Sequence, residues 1–362
     1  AVPLAFAWLH VDNVLLLLGQ SPEIAALAQT YATPQVLSVA PFLIFVALRH
    51  YLQGRGLMLA PLWIILAANV ANAALNRVLI FGGAGVPALG IAGAGIATSI
   101  TRSLLPLGLA LVVFGRGLHR GAWTPWRRDV FHPAQLRRVL ALGFPIAIQI
   151  GLEVWAFNGC TLFAGWLGPT PVAAHVVVLK LASFAFMMPL GISIAAATSV
   201  GNRLGAGDRP GAQRAALVSL ALGAGVMGVS ALAFLLFPRQ LASFFTKSAD
   251  VVAAAATIFP IAAAFQVFDG TQAVGCGVLR GMGTPRPAAI FNLFGYWVLA
   301  LPLGLLLAYP AGLGLRGIWI GLTVGLATVA VLLVAWIAYR GPSRGGRVFV
   351  SASSASAKRA VE

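Results

Sequence analysis

Residues 143–168 read GFPIAIQIGLEVWAFNGCTLFAGWLG. Apolar side chains lie on every side of this run, so it does not suit a surface helix of a soluble protein. It is longer than the ~20 residues that cross a bilayer. One acid, Glu153, stands inside it. A charged residue at the centre of a membrane helix costs roughly 2.5–3.5 kcal/mol on insertion scales. Such a group marks a candidate functional site. The alternative is a carboxyl held neutral by a hydrogen bond to a neighbouring helix.

The rest of the chain has the same character. Of 362 residues, 60% are hydrophobic and 9% charged, against about 25% charged in soluble domains. Mean hydropathy is +0.93. These values predict an all-α polytopic membrane protein. Full spans are expected over 35–53, 59–81, 91–115, 137–167, 172–200, 212–237, 251–276, 286–308 and 317–339. A partial helix over 1–9 continues along an interface to about Leu18. The turns carry Gly or Pro, as at Gly19-Gln20-Ser21-Pro22 and Gly283-Thr284-Pro285, the residues that loops require.

A net charge of +16 raises the question of nucleic acid. Position answers it. Eighteen of the 24 Lys and Arg fall in alternate loops or the C-terminal tail, among them Arg49, Arg55, Arg127, Arg128, Arg203, Arg280 and Arg286. Four, Arg77, Arg239, Lys247 and Arg316, fall on the other side. This is the positive-inside pattern. It places the C-terminus in the cytoplasm, names the lipid bilayer as partner and argues against nucleic acid. The membrane is expected to be the inner (plasma) membrane of a bacterial-type cell. Cys160 and Cys276 both sit in apolar runs and show neither metal-ligand spacing nor a disulfide framework.

The two halves are related. Leu52-Gln53-Gly54-Arg55-Gly56 matches Leu279-Arg280-Gly281-Met282-Gly283, 227 positions on, and Ser21-Pro22-Glu23 matches Ser248-Ala249-Asp250 at the same offset. After a three-residue slip, Leu89-Gly90 matches Leu313-Gly314. The repeat is six helices long, so its copies share one orientation, as in parallel-repeat secondary transporters. The expected organisation is a first lobe over 1–115, a cytoplasmic linker over 116–136, a second six-helix lobe over 137–340 and a disordered tail over 341–362. Partners of the helices over 137–200 would precede residue 1. About nine full helices and a partial one are therefore expected here, and twelve are expected in the intact protein. This piece alone is not expected to transport.

Only two acids lie inside spans, Glu153 and Asp269. Two carboxylates in one six-helix bundle point to a cation or proton site. A hard cation such as sodium takes oxygen ligands, and Gln149, Asn158, Gln266, Thr271 and Gln272 could add them. Lys180 either pairs with one of the acids or snorkels to the interface. Arg102 is a structural or cavity-facing charge. Gly223 to Gly228 fits GxGxxG with no preceding strand, so helix packing explains it better than dinucleotide binding. HExxH and Walker A motifs are missing from the sequence, which leaves metal-dependent hydrolysis and ATP use without support.

Several stretches together resemble the multidrug and toxic compound extrusion (MATE) family, in its NorM-like branch. They are Gly143-Phe144-Pro145 with Glu153, Ala173-Ala174-His175, Phe186-Met187-Met188-Pro189-Leu190-Gly191, Val200-Gly201-Asn202-Arg203-Leu204-Gly205-Ala206-Gly207, Phe268-Asp269-Gly270 through Gly277-Val278-Leu279-Arg280-Gly281, and Asn292-Leu293-Phe294-Gly295-Tyr296-Trp297. The resemblance covers residues 1–340. It implies two six-helix lobes around a central cleft, and export of organic cations in exchange for sodium ions or protons. It implies that Glu153 and Asp269 bind the coupling ion, that no cofactor is covalently held, and that the protein is a monomer and not an enzyme. One rival is a lipid-linked oligosaccharide flippase, which would want a strongly cationic cavity. A second is a membrane-embedded transferase, which would want a His/Asp or metal constellation.

Overall fold

The computed structural model describes residues 2–17, 21–83, 85–120 and 133–345. The centre of the expected linker (121–132), the expected tail beyond 345, and Gly19 and Gln20 lie outside the described residues. The described residues are helical apart from short turns. Nine of their helices are long and apolar enough to cross a membrane. They fall into two compact units, Ala1–Val130 and Phe131–Glu362.

The first unit holds α1 (Val2–Leu9), α2 (Val11–Leu17), α3 (Pro22–Gln35), α4 (Val39–Gly54), α5 (Leu59–Phe81) and α6 (Gly90–Gly115). The first full span was expected to open at residue 35, but it opens at Pro22. Ser21 accepts a hydrogen bond from the Ile24 N–H and Pro22 takes the first helical turn. Serine before proline opens a helix as readily as it makes a turn. Pro34 then sits inside α3, and a 3-10 turn at Val36–Ser38 passes the chain on to α4. The proline leaves the Thr30 carbonyl without its helical N–H partner, and the tighter turn follows two residues on. α6 packs on α3, α4 and α5.

The second unit holds α7 (Pro133–Trp166), α8 (Pro169–Gly205), α9 (Arg209–Leu236), α10 (Pro238–Phe245), α11 (Ala249–Gly281), α12 (Arg286–Asn292), α13 (Leu301–Ala308), α14 (Leu315–Arg340) and α15 (Pro342–Gly345). α11 is its axis and packs on α8, α9 and α14. Gly277 and Gly281 lie against the backbone of Ser193 and Ala197 on α8, where any side chain would collide. Gly270 and Gly223 make the corresponding close approach between α11 and α9. Gly225 and Gly228 have nothing within 4 Å of a would-be side chain, so only the first glycine of the GxGxxG match serves packing.

The helices outrun their apolar stretches. α11 was expected to end at 276 and ends at Gly281, and this carries Arg280 out of its expected loop and into the helix. Hydropathy marks the membrane core, whereas capping marks the helix end. Two features went unseen in the sequence. One is α10, a short amphipathic helix with Ala242 buried and Phe244 exposed. The other is a π-helical stretch, Leu293–Ala300, in which the Leu301 N–H donates to the Tyr296 carbonyl five residues back. Pro302 follows it and has no N–H to offer Val298, and the wider ladder accommodates that loss.

Element bounds restate the sequence repeat. Pro22–Gly54 and Ala249–Gly281 are both 33 residues long and lie 227 positions apart, as do Leu59–Phe81 and Arg286–Ala308. α2 and α10 begin 227 positions apart as well.

Candidate functional site

The second unit collects its polar side chains where α7 meets α11 and α12. Trp297 Nε1–H donates to the Leu152 carbonyl at 3.1 Å, and Tyr309 O–H donates to the Phe163 carbonyl at 2.8 Å. These two bonds fix the rotation of α7 and bring Glu153, the neighbour of Leu152, to α11. There Gln272 Nε2 donates to Glu153 Oε2 at 3.2 Å and to Asn292 Oδ1 at 3.4 Å. Gln149, one turn before Glu153 and buried, brings a second amide to the carboxyl. Asp269 lies one turn before Gln272 and is 4% exposed. It accepts no hydrogen bond from any described residue. The charge of Glu153 reaches Asp269.

One cation serves this cluster. Arg280 lies on the same side of α11, donating from Nε to the Cys276 carbonyl (3.2 Å) and from Nη2 to Ser193 Oγ (3.3 Å), and its charge reaches Glu153. Lys180, a candidate partner in the sequence, is exposed on α8 and pairs with neither acid. The cation beside the site is therefore Arg280.

Two other candidates do not join. Asn158 is exposed and turns its amide back to the Val154 carbonyl at 2.8 Å. Thr271 bonds to the Val267 carbonyl at 2.8 Å. At about 100° per residue it points roughly 200° away from Asp269. Gln266 lies on the Asp269 side of α11 and donates to Ser230 Oγ on α9 at 2.9 Å.

Buried polar atoms are normally paired. Here Oε1 of Gln149, Gln266 and Gln272, Asn292 Nδ2 and Tyr296 O–H are buried without a partner. Two carboxyls with the spare amide oxygens of Gln149 and Gln272 beside Glu153 make an oxygen-rich donor set suited to a hard cation. A buried ionised carboxyl needs a partner, a cation or a proton. Asn292, Tyr296, Ser230 and Arg280 escaped sequence reasoning. Asn292 and Tyr296 had one available signal, their place in the Asn292–Trp297 motif. Arg280 had the same kind of signal, its place at the end of the Phe268–Gly281 stretch, but hydropathy puts it in a loop.

Comparison with known proteins agrees with this architecture. The MatE family model matches residues 1–78 and 145–306. The chain is 38% identical over 347 residues to a probable multidrug resistance protein NorM of Mesorhizobium japonicum, covering 92% of this chain and 73% of that protein. It is 37% identical to the multidrug resistance protein NorM of Burkholderia vietnamiensis, covering 93% and 73%. The crystal structure of the eukaryotic MATE transporter AtDTX14 superposes with a TM-score of 0.82 at 26% identity, covering 94% of this chain and 75% of that one. That of the Vibrio cholerae MATE transporter VcmN in its bent form superposes with a TM-score of 0.81 at 22% identity, covering 94% and 76%. With the family model, these relatives and the fold in agreement, the chain belongs to the MatE family, as a MATE transporter of the NorM-like branch.

Proposed function

We propose that the protein exports lipophilic organic cations, the multidrug activity its relatives are named for, by antiport with sodium ions or protons. Glu153 and Asp269 carry the coupling ion. The observation that supports this is the bridge from Glu153 through Gln272 to Asn292, one helical turn from an unpartnered Asp269. A cation or proton entering this cluster satisfies both carboxyls. A cationic drug competes for the same negative charge, so loading one favours release of the other. Gln272 can serve both states, since its N–H groups hold an ionised Glu153 and its carbonyl oxygen can face an ion or accept from a protonated carboxyl. Arg280 lessens the negative charge of the pair, and so limits how tightly an ion is held.

The test is drug efflux from everted vesicles carrying the intact protein, with sodium and pH gradients imposed separately. Glu153→Gln keeps the shape and removes the charge. At equal expression its ion-coupled efflux should fall to background while a lipophilic cation still binds weakly. Normal efflux by this variant would sink the coupling role. Orientation is checked in intact cells after Cys160 and Cys276 are silenced. A cysteine at Arg127 should be shielded from an impermeant thiol reagent and one at Lys247 labelled, if the basic side and the C-terminus are cytoplasmic.

A further inference from the structure

A second polar site lies away from the carboxyls, in the hairpin of α8 and α9. A cavity of about 490 Å³ is lined by Ser199 and Arg203 of α8, Asp208 of the turn, and Arg214, Val218 and Ser219 of α9, among others. Arg203 is already engaged, with Nη1 2.9 Å from Asp208 Oδ2. The other oxygen of Asp208 caps α9 by accepting the Gly211 N–H at 2.8 Å. Arg214 has no hydrogen bond or ion pair within the described residues. The Ser199 and Ser219 hydroxyls have none either. Thr198, beside Ser199, bonds back to the Ile194 carbonyl at 3.1 Å, as helix hydroxyls commonly do. An exposed guanidinium whose charge reaches Asp208 but which donates no hydrogen bond within the described residues, two unbonded hydroxyls and the positive end of a 28-residue helix thus border one cavity.

That donor set recognises a phosphoryl oxygen. The charge balance narrows the choice. Arg203 and Arg214 against Asp208 leave one net positive charge, which matches a singly charged phosphodiester better than a phosphate dianion. The surroundings narrow it again. Leu217, Val218 and Leu222 are exposed on α9 at the level of the cavity, on a helix apolar enough to cross a membrane. A headgroup seated at Arg214 would lay its acyl chains along them. Basic pockets between membrane helices hold lipid headgroups in this way. We propose that the α8–α9 cavity binds the phosphodiester of an anionic phospholipid, with Arg214 as its principal ligand.

The intact protein, purified in detergent and titrated with phosphatidylglycerol or phosphatidylcholine, can be followed by native mass spectrometry. Arg214→Gln is compared with Arg209→Gln, which removes the same charge from a residue that does not line the cavity. Wild type and Arg209→Gln should retain phosphatidylglycerol over phosphatidylcholine. Arg214→Gln should bind it about tenfold more weakly, as expected for loss of a charge-assisted hydrogen bond. Millimolar inorganic phosphate should not displace it. Equal retention of the two lipids, equal weakening by both variants, or displacement by inorganic phosphate would each overturn the proposal, the last by showing a free-phosphate site. Size-exclusion profiles check that the variants fold. If Arg214→Gln does not, the pair Ser199→Ala and Ser219→Ala should weaken retention in its place, and unchanged retention by that pair would count against the site.

Discussion

Pro22–Gly54 in the first unit and Ala249–Gly281 in the second are equal in length and 227 positions apart, yet their polar chemistry is opposite. Where the second has Asp269 and Gln272, the first has Phe42 and Phe45. Where the second has Asn292, the first has Ile65. The first unit's intramembrane charge is instead a cation. Arg102 of α6 lies 5.2 Å from the Phe42 ring and 5.7 Å from that of Trp8, and donates to Gln35 Oε1 at 3.0 Å. Its repeat partner at the slipped offset is Leu326, which is fully buried. One helical scaffold thus carries carboxyls with spare oxygens in one copy and a cation closed off by aromatic rings in the other. Helix packing, then, does not dictate the polar site. A few positions on the face of one helix do.

The sharpest way to break that comparison is at the repeat-equivalent pair. Asp269→Asn should cut ion-coupled efflux to background, and the double variant with Glu153→Gln should be little worse than either alone, because residues acting as one site are not additive. Phe42→Leu, at the matching position of the first unit, should leave ion coupling intact. Efflux data with the two effects reversed would show that the division of labour is drawn wrongly.

Packing differs as well. Gly277 lets α11 touch the α8 backbone, while its repeat partner His50 is exposed. Gly277→Leu should drive α8 and α11 apart at a cost of about 3 kcal/mol. His50→Leu should stay within about 0.5 kcal/mol. Thermal unfolding in detergent reads both, and equal shifts would argue against α11 being the axis of its unit.

Arg102 gives a smaller effect. Arg102→Met removes two ring contacts and one hydrogen bond to a charged donor, about 1–2 kcal/mol in all. It should lower the melting temperature without changing the ion dependence of efflux. A changed ion dependence would place Arg102 in the transport chemistry and blur the contrast between the units.

Much of this was legible in the sequence, for identifiable reasons. The spans show because bilayer solvation demands long apolar runs, and the repeat shows because glycine and cap positions recur at one offset. Glu153 and Asp269 stand out because an acid inside a span is rare. Spacing could not tell that Gln272 faces Glu153 while Thr271 faces away. That depends on the rotation of α7, which Trp297 and Tyr309 set from 145 or more residues downstream. Arg280 was hidden because hydropathy ends a span before the helix ends. The π-helical stretch was hidden because its residues read as an ordinary apolar run, and only Pro302 hinted at a disturbed ladder.

The smallest effect separates the units by their helix caps. Ser21 caps α3 of the first unit with a hydroxyl, 3.4 Å from the Ile24 nitrogen. Asp208 caps α9 of the second with a carboxylate, 2.8 Å from the Gly211 nitrogen. The Gly211 N–H and then the Arg203 guanidinium hold the Asp208 carboxyl below the usual carboxylate range. A carboxyl whose value is lower folded than unfolded adds stability that is fully present above the unfolded value, about 3.9. That stability is lost as pH falls through the folded value. Both cap groups are constant between pH 5 and 8 on this reckoning, and only the carboxylate responds below about 4. The Asp208–Arg203 pair is open to solvent, so screening keeps its share modest. Amide hydrogen exchange should show Gly211 losing protection on acidification while Ile24 follows only its intrinsic rate. In Asp208→Asn the amide oxygen can still cap, and the acid-dependent loss at Gly211 should disappear. If Gly211 keeps its full protection well below pH 3, or if Ile24 loses its own in parallel, the charged cap is not what distinguishes the second unit's α8–α9 turn.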